Sequence, residues 1–267
     1  MNRKLVKLGR YWRWRLKSAN RIPLFWHVGR PNFGDDINPT FYEQLTGARV
    51  RFATNMNRPH LLGAGSILEK ATPSSIIVGS GLLSPLKMPL HSGYSVVSVR
   101  GEKTLEIINC KDSILLGDPL VLIDLLVDAP NRKIHEIGVV PHITNVQKFR
   151  SEYGGRAHII DPALPPFDVV AQIGACEKIM SQSLHGLIVA DALKVPNVWL
   201  SPGVSMIGGD FKFIDYFSTL DSTKEAINNH GDAILNPTPL PFQVSKYRYD
   251  KNIYRDVLSA AMHLVNS

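Results

Sequence analysis

Apolar residues fall into short runs along this chain, each closed by glycine, proline or histidine and followed by a stretch with helical spacing. PLFWHVG (23–29) reads as a strand entering the loop NFGDDIN (32–38), with a helix over 39–45. RPHLLGAGSIL (58–68) and SSIIVGSGLL (74–83) each predict a short strand ending in a glycine-rich turn. SVVSVRGEKTLEII (95–108) predicts a strand, a turn, and a helix carrying Leu105 and Ile108. SILLGDPLVLIDLL (113–126) continues with a strand, a Gly-Asp-Pro turn and an apolar segment.

The polar, proline-bearing stretch DAPNRK (128–133) interrupts this rhythm, which then restarts. HEIGVVPHI (135–143) and HIIDP (158–162) predict strands, PPFDVVAQIGAC (165–176) a helix, and VPNVWL (195–200) a further strand. Between the last two, MSQSLHGLIVADALKVP (180–196) reads as a strand end running into an apolar helix. Residues 218–267 carry little signal apart from a final helix over 253–265. Strands alternating with helices imply an α/β fold with parallel sheets, built twice. The predicted architecture is two Rossmann-like domains facing across a cleft, GT-B-like, over 22–128 and 133–235, with a tail and helix over 236–267. Ligands in such sheets bind beyond the carboxyl ends of the strands, where the polar motifs of this chain lie.

Charge changes the picture at one end only. The formal net charge is +7, yet 1–21 holds eight Lys and Arg and no acid, leaving one net negative charge for the rest. This segment interleaves its cations with Tyr11, Trp12 and Trp14. It lacks the uninterrupted apolar stretch of a secretory signal, and no nucleic-acid reading motif follows it. Two readings stay open: a basic amphipathic segment lying on an anionic membrane surface, or a solvated tail. No run reaches the ~20 apolar residues of a membrane-spanning helix. The expectation is a cytoplasmic protein without nucleic-acid partners, touching the inner face of the membrane through 1–21. Cys110 and Cys176 form no CxxC pair, which argues against a zinc knuckle or a disulfide framework.

Several strand-end clusters carry candidate chemistry. In 180–196, Ser183 stands where a helix cap belongs, and a cap alone is one reading. An exposed helix start is also an anion site, with Gly186 admitting a ligand to the backbone and His185 supplying a proton or hydrogen bond. In NFGDDIN, Asp35 and Asp36 are adjacent carboxylates suited to base catalysis, to metal ligation, or to capping the next helix. Arg100 ends a strand, where it would point across the cleft mouth and hold carboxylate or phosphate through paired donors. GAGS (63–66) and GSG (79–81) lack the third glycine of a dinucleotide fingerprint and remain places of close backbone approach. DxD, HxxxH, GxSxG and P-loop patterns are all absent, which removes support for metal-dependent sugar-nucleotide transfer, zinc hydrolysis, elbow-type serine hydrolysis and P-loop chemistry.

Taken in order, NFGDDIN, GAGSIL, GSGLL, VRGEKT, GDPLVL, VVPHI and SQSLHGLIVADALKVP resemble the polysaccharide pyruvyl transferase family. FKFIDYF (211–217), with Lys212 and Asp215, is similar to a late element of that family. The likeness spans roughly 23–217 and is most specific at the S-x-S-L-H-G stretch. It implies a bacterial type of enzyme that moves pyruvate from phosphoenolpyruvate onto two hydroxyls of one sugar, giving a cyclic ketal and free phosphate. The implied acceptor is a lipid-linked oligosaccharide or polysaccharide precursor; no cofactor and no metal are implied. Under this reading Arg100, Ser181, Ser183, His185 and Gly186 bind phosphoenolpyruvate, and His185 is also a candidate general acid. Asp35 is the candidate base, with Asp36 as the alternative. Asn32, Gly65, Ser66, Gly81, His142 and Lys212 are further cleft candidates. Two rival readings are a glycosyltransferase of the same architecture using a nucleotide sugar, and a catalytically idle carbohydrate-binding protein.

Overall fold

Eleven strands form two sheets among the described residues, and all neighbouring strands run parallel. The computed structural model describes residues 21–85, 93–110, 114–128, 130, 132–201, 203 and 208–265. The basic segment therefore lies outside the described residues except for Arg21, which pairs with Glu43 at 3.7 Å.

The first sheet holds β1 (Ile22–Phe25), β2 (Val50–Phe52), β3 (His60–Leu62), β4 (Ser75–Ser80), β5 (Ser95–Val99) and β6 (Leu115–Leu116), in the order β2-β1-β3-β4-β5-β6. The second holds β7 (His135–Val140), β8 (His158–Ile159), β9 (Cys176–Ser181), β10 (Asn197–Leu200) and β11 (Ala226–Ile227), in the order β11-β10-β9-β7-β8. Read from its other edge, the second sheet repeats the winding of the first: second strand, first, third, fourth, fifth. In each sheet the order reverses between its first and third strands, and such switch points open the crevices where ligands bind. Those strand ends are β1 and β3 in one sheet and β7 and β9 in the other. They lead into NFGDDIN, GAGS, VVPHI and SQSLHG.

The helices are α1 (Phe33–Asp36), α2 (Asn38–Thr46), α3 (Glu102–Ile108), α4 (Val146–Tyr153), α5 (Pro166–Gly174), α6 (Leu184–Ala192), α7 (Phe211–Phe217), α8 (His230–Leu235) and α9 (Lys251–Leu264). The predicted loop 32–38 contains a helical turn, α1, because Asn32 caps it by accepting from the Gly34 amide at 3.2 Å. The apolar segment after Gly-Asp-Pro is a 3-10 helix, Pro119–Leu125, with Asp118 as its cap. The final helix begins two residues before its predicted start, at Lys251, because the Asp250 carboxylate accepts from the amides of Asn252 and Ile253.

Every residue of α6 except His185 is buried. The helix packs between the second sheet and the Pro119–Leu125 turn of the first half, so one apolar cluster runs through both. That cluster joins Leu24 and Phe41 to Leu122, Ile188 and Trp199, and ends on Tyr254 and Leu258 of α9. The C-terminal helix thus returns the chain to the first sheet, with Tyr254, Leu258, Ala261 and Met262 on one buried stripe. Among the described residues no helix is long and apolar enough to cross a membrane.

Candidate active site

The facing strand ends enclose a cavity of about 240 Å³. Asn32, Asp35 and Ser66 line it from the first half, and His142, Ser183 and His185 line it from the second. Lys212 of α7 closes one side, and His27, Gln182 and Pro162 complete the wall. The residues predicted from separate motifs therefore meet in one place.

On the first half, α1 divides the two adjacent acids. Asp36 turns back and accepts from the Asn32 amide at 3.0 Å, so it stabilises the turn. Asp35 points into the cavity above Gly65, whose φ of +122 holds the backbone in a conformation side chains disfavour. Asn38 ties the turn down by donating to the Asp35 and Ala64 carbonyls. A methyl group on Gly34 would overlap the His185 imidazole at Nδ1, so this glycine is what allows the two halves' motifs to touch.

On the second half, the path from β9 into α6 is built by hydroxyls. Ser181 Oγ donates to the Ser183 carbonyl at 2.8 Å and accepts from the Ser183 amide at 3.0 Å, which shapes the turn. Ser183 caps α6 by accepting from the Gly186 amide at 3.4 Å. Gly186 packs on Ser181 Oγ with no space for a Cβ, so its smallness serves helix–strand contact. Of these predicted ligands, Ser183 and His185 line the cavity and Ser181 and Gly186 support it from behind. Gln182 fixes the neighbouring loop, accepting from the His142 amide at 3.0 Å and from Asn145 at 3.1 Å.

Arg100 does not point across the cleft mouth. Its side chain is fully buried, stacked on the Gly81 backbone, and its donors are committed. Nε donates to Asp215 Oδ2 at 2.9 Å, Nη1 to Ser66 Oγ at 2.8 Å and Nη2 to the Leu82 carbonyl at 2.6 Å. Asp215 belongs to α7 and also accepts from the amide and hydroxyl of Thr104. A strand end of the first half is thereby bound to the helix that carries Lys212. Arg100 reaches the cavity through Ser66 alone.

The electrostatics follow from burial. Desolvation first, then Lys212 and Arg100, lower the His185 pKa to about 3, so its imidazole is neutral. Burial and Arg100 also lower Lys212 to about 8, against the opposing pull of Asp35. His142 is lowered by burial, Lys212 and Arg30. Behind His185 stands Asp118, fully buried and raised to about 6, chiefly by desolvation. Its Oδ1 accepts from the Leu120 amide at 3.0 Å, while Oδ2 lies 3.8 Å from His185 Nε2.

Asp118, Asp215, Gln182 and His27 are not among the residues predicted for the site, although Asp215 falls within FKFIDYF. The Gly-Asp-Pro turn and the strand-end His27 are local signals for two of them. The partnership of Asp215 with Arg100 spans 115 positions and leaves no local trace. A second and larger cavity, about 530 Å³, lies at the other end of α6 beside Asp191, Lys194 and Tyr216, and is lined by none of the predicted site residues. Its buried carboxylate, Asp191, is already paired with Lys224 at 3.1 Å.

A family model described as polysaccharide pyruvyl transferase matches residues 34–203, which bracket most of the cavity's wall. The chain is 31% identical over 233 residues to uncharacterized protein L143 of Acanthamoeba polyphaga mimivirus, covering 80% of each. It is 30% identical over 215 residues to the succinoglycan biosynthesis protein ExoV of Rhizobium meliloti strain 1021, covering 75% of this chain and 65% of that protein. Asn32 and Lys212 stand just outside the matched stretch yet line the same cavity. The family match over most of the chain, meeting a cavity built from its own motif residues, identifies this chain as a pyruvyltransferase belonging to the polysaccharide pyruvyl transferase family.

Proposed function

We propose that this cavity moves pyruvate from phosphoenolpyruvate onto two hydroxyls of one sugar, forming a cyclic ketal and releasing phosphate. The observation that carries the reading is the polarity of the cavity: cationic and N–H-rich on the second half, with a carboxylate opposite. The first turn of α6 offers the Leu184 and His185 amides beside the Ser183 hydroxyl, and a helix start favours phosphate. Lys212 stands across from it and takes the substrate carboxylate. Arg100 adds buried positive charge through Ser66.

Asp35, on the first half, removes the proton of the attacking sugar hydroxyl, while Asp36 stays in its turn. The methylene carbon of the donor gains a proton and becomes the methyl group, and the first hydroxyl oxygen bonds to the central carbon. The second hydroxyl then displaces phosphate, and its proton leaves with the phosphate. His185 holds the phosphate and carries the proton: the bound dianion opposes the influence of Lys212 and Arg100 and favours imidazolium. The two halves work as a GT-B-like pair, with the donor on 133–235 and the acceptor on 22–128. The acceptor is a lipid-linked oligosaccharide presented at the inner membrane face, where the basic, Trp-bearing segment 1–21 meets anionic lipid.

Titration calorimetry with phosphoenolpyruvate tests the donor site. Wild type binds with measurable heat, and His185→Ala and Lys212→Ala each weaken binding about 10-fold or more, equivalent to ~1.4 kcal/mol. Absence of binding in wild type, or wild-type affinity in both variants, overturns the assignment.

A further inference from the structure

Two buried polar atoms face each other behind the cavity with no hydrogen-bond partner among the described residues: Asp118 Oδ2 and His185 Nε2, 3.8 Å apart. Buried polar atoms in folded proteins are paired almost without exception, so an unpaired facing couple at a reactive site calls for a functional account. Asp118 is held rigidly. It follows Gly117, caps the Pro119–Leu125 turn through Oδ1, and has no exposed surface. The imidazole is held by Gly34 on one side and by α6 on the other. A displacement of under ~1 Å brings the two atoms into hydrogen-bond range.

We propose that Asp118 is the positioning residue of this site: its carboxylate accepts from His185 Nε2–H, keeps the proton on that nitrogen, and turns the Nδ1 lone pair toward the substrate. The inference rests on His185 acting on the donor as described above. Its chemistry is that of a carboxylate–imidazole pair, in which the acid selects the tautomer and stabilises the imidazolium that forms when Nδ1 takes a proton. The charged and titratable groups around it are Arg100, beyond β5; Asp215, Lys212 and Tyr216 on α7; Tyr42 on α2; and Tyr254 on α9. Arg100 favours the ionised Asp118, whereas Asp215 and burial oppose it.

Asp118→Asn is an informative variant because of the Leu120 amide. That amide needs an acceptor, so the asparagine oxygen stays on it and the NH2 group is turned toward His185 Nε2. A donor there forces the proton onto Nδ1, and the tautomer flips. The experiment uses full-length protein labelled with 15N-histidine at pH 8, with His185→Ala to assign the resonance. The wild-type spectrum is expected to show the Nε2–H tautomer and the variant the Nδ1–H tautomer, while kcat falls about 100-fold with a smaller change in KM. Acidifying wild type through about pH 6, where Asp118 takes up its proton, should produce the same flip without any mutation. An unchanged tautomer in Asp118→Asn, or wild-type turnover and pH profile in that variant, overturns the inference. Turnover in His185→Ala equal to wild type would instead overturn the assignment of His185 itself, on which this inference depends.

Discussion

At the scale of single residues, the site depends on how closely backbone can approach side chain. Gly34 is the sharpest instance, since its Cα lies against the His185 ring. Its backbone is outside the left-handed region, and alanine is favoured over glycine in a helix by about 1 kcal/mol, so Gly34→Ala has no conformational cost. The effect is purely steric and falls on the imidazole. Gly34→Ala is expected to lower kcat/KM about 100-fold, as a misplacement near 1 Å does, while the thermal midpoint moves by only a few degrees. Phosphate release and a melting curve measure the two separately, and full activity would show that the imidazole tolerates displacement. The same scale separates Asp35 from Asp36. They are equivalent as a dipeptide, and only the cap made by Asp36 assigns them different tasks.

At the scale of elements, the Arg100–Asp215 pair joins β5 and α3 of one half to α7 of the other. Both side chains have no exposure, and losing one partner leaves an uncompensated buried charge. Asp215→Ala is therefore expected to cost about 3–5 kcal/mol in urea unfolding. It also loosens α7 and with it Lys212, so affinity for phosphoenolpyruvate falls in the same variant. Asp215→Asn keeps two acceptor-and-donor positions for Thr104 and should retain part of the stability. If Asp215→Ala unfolds like wild type, the pair is not what holds α7 in place.

Most of the elements were legible in the sequence because buried parallel strands are short apolar runs, as in β4 and in the second part of β7, Ile137–Val140. The helix α4 was not, since only Val146 and Phe149 of VQKFRSEY are buried and its polar face dominates the pattern. The strands β2 and β11, of three and two residues, are too short for periodicity to show. The site was legible to the extent that its residues sit at strand ends. What lay behind it was hidden: Asp118 and Asp215 act on residues 67 and 115 positions away, and no local pattern encodes such a distance.

At the scale of the whole molecule, the same winding occurs twice and residues that follow both switch points line one cavity. The only strongly cationic stretch of the sequence is 1–21. Deleting it should abolish co-sedimentation with anionic vesicles while leaving turnover on a soluble acceptor intact, because each surface Lys or Arg contributes about 1 kcal/mol to anionic lipid. Equal vesicle binding by the truncated and full-length chains would remove the membrane role.

The buried couple behind the site has a consequence for folding as a whole. Asp118 is raised from an ordinary 3.8 to about 6, so the fold loses stability as pH rises through that window. His185 is lowered from 6.5 to about 3, so the fold loses stability as pH falls through that window. Between about pH 4 and 6 the unfolded chain keeps one proton on the histidine, and the folded protein keeps one on the aspartate. Folding moves that proton from one side chain to the other and exchanges none with water. The two slopes oppose each other, and a reactive imidazole is held neutral without making the protein's stability sensitive to mild acid at this site.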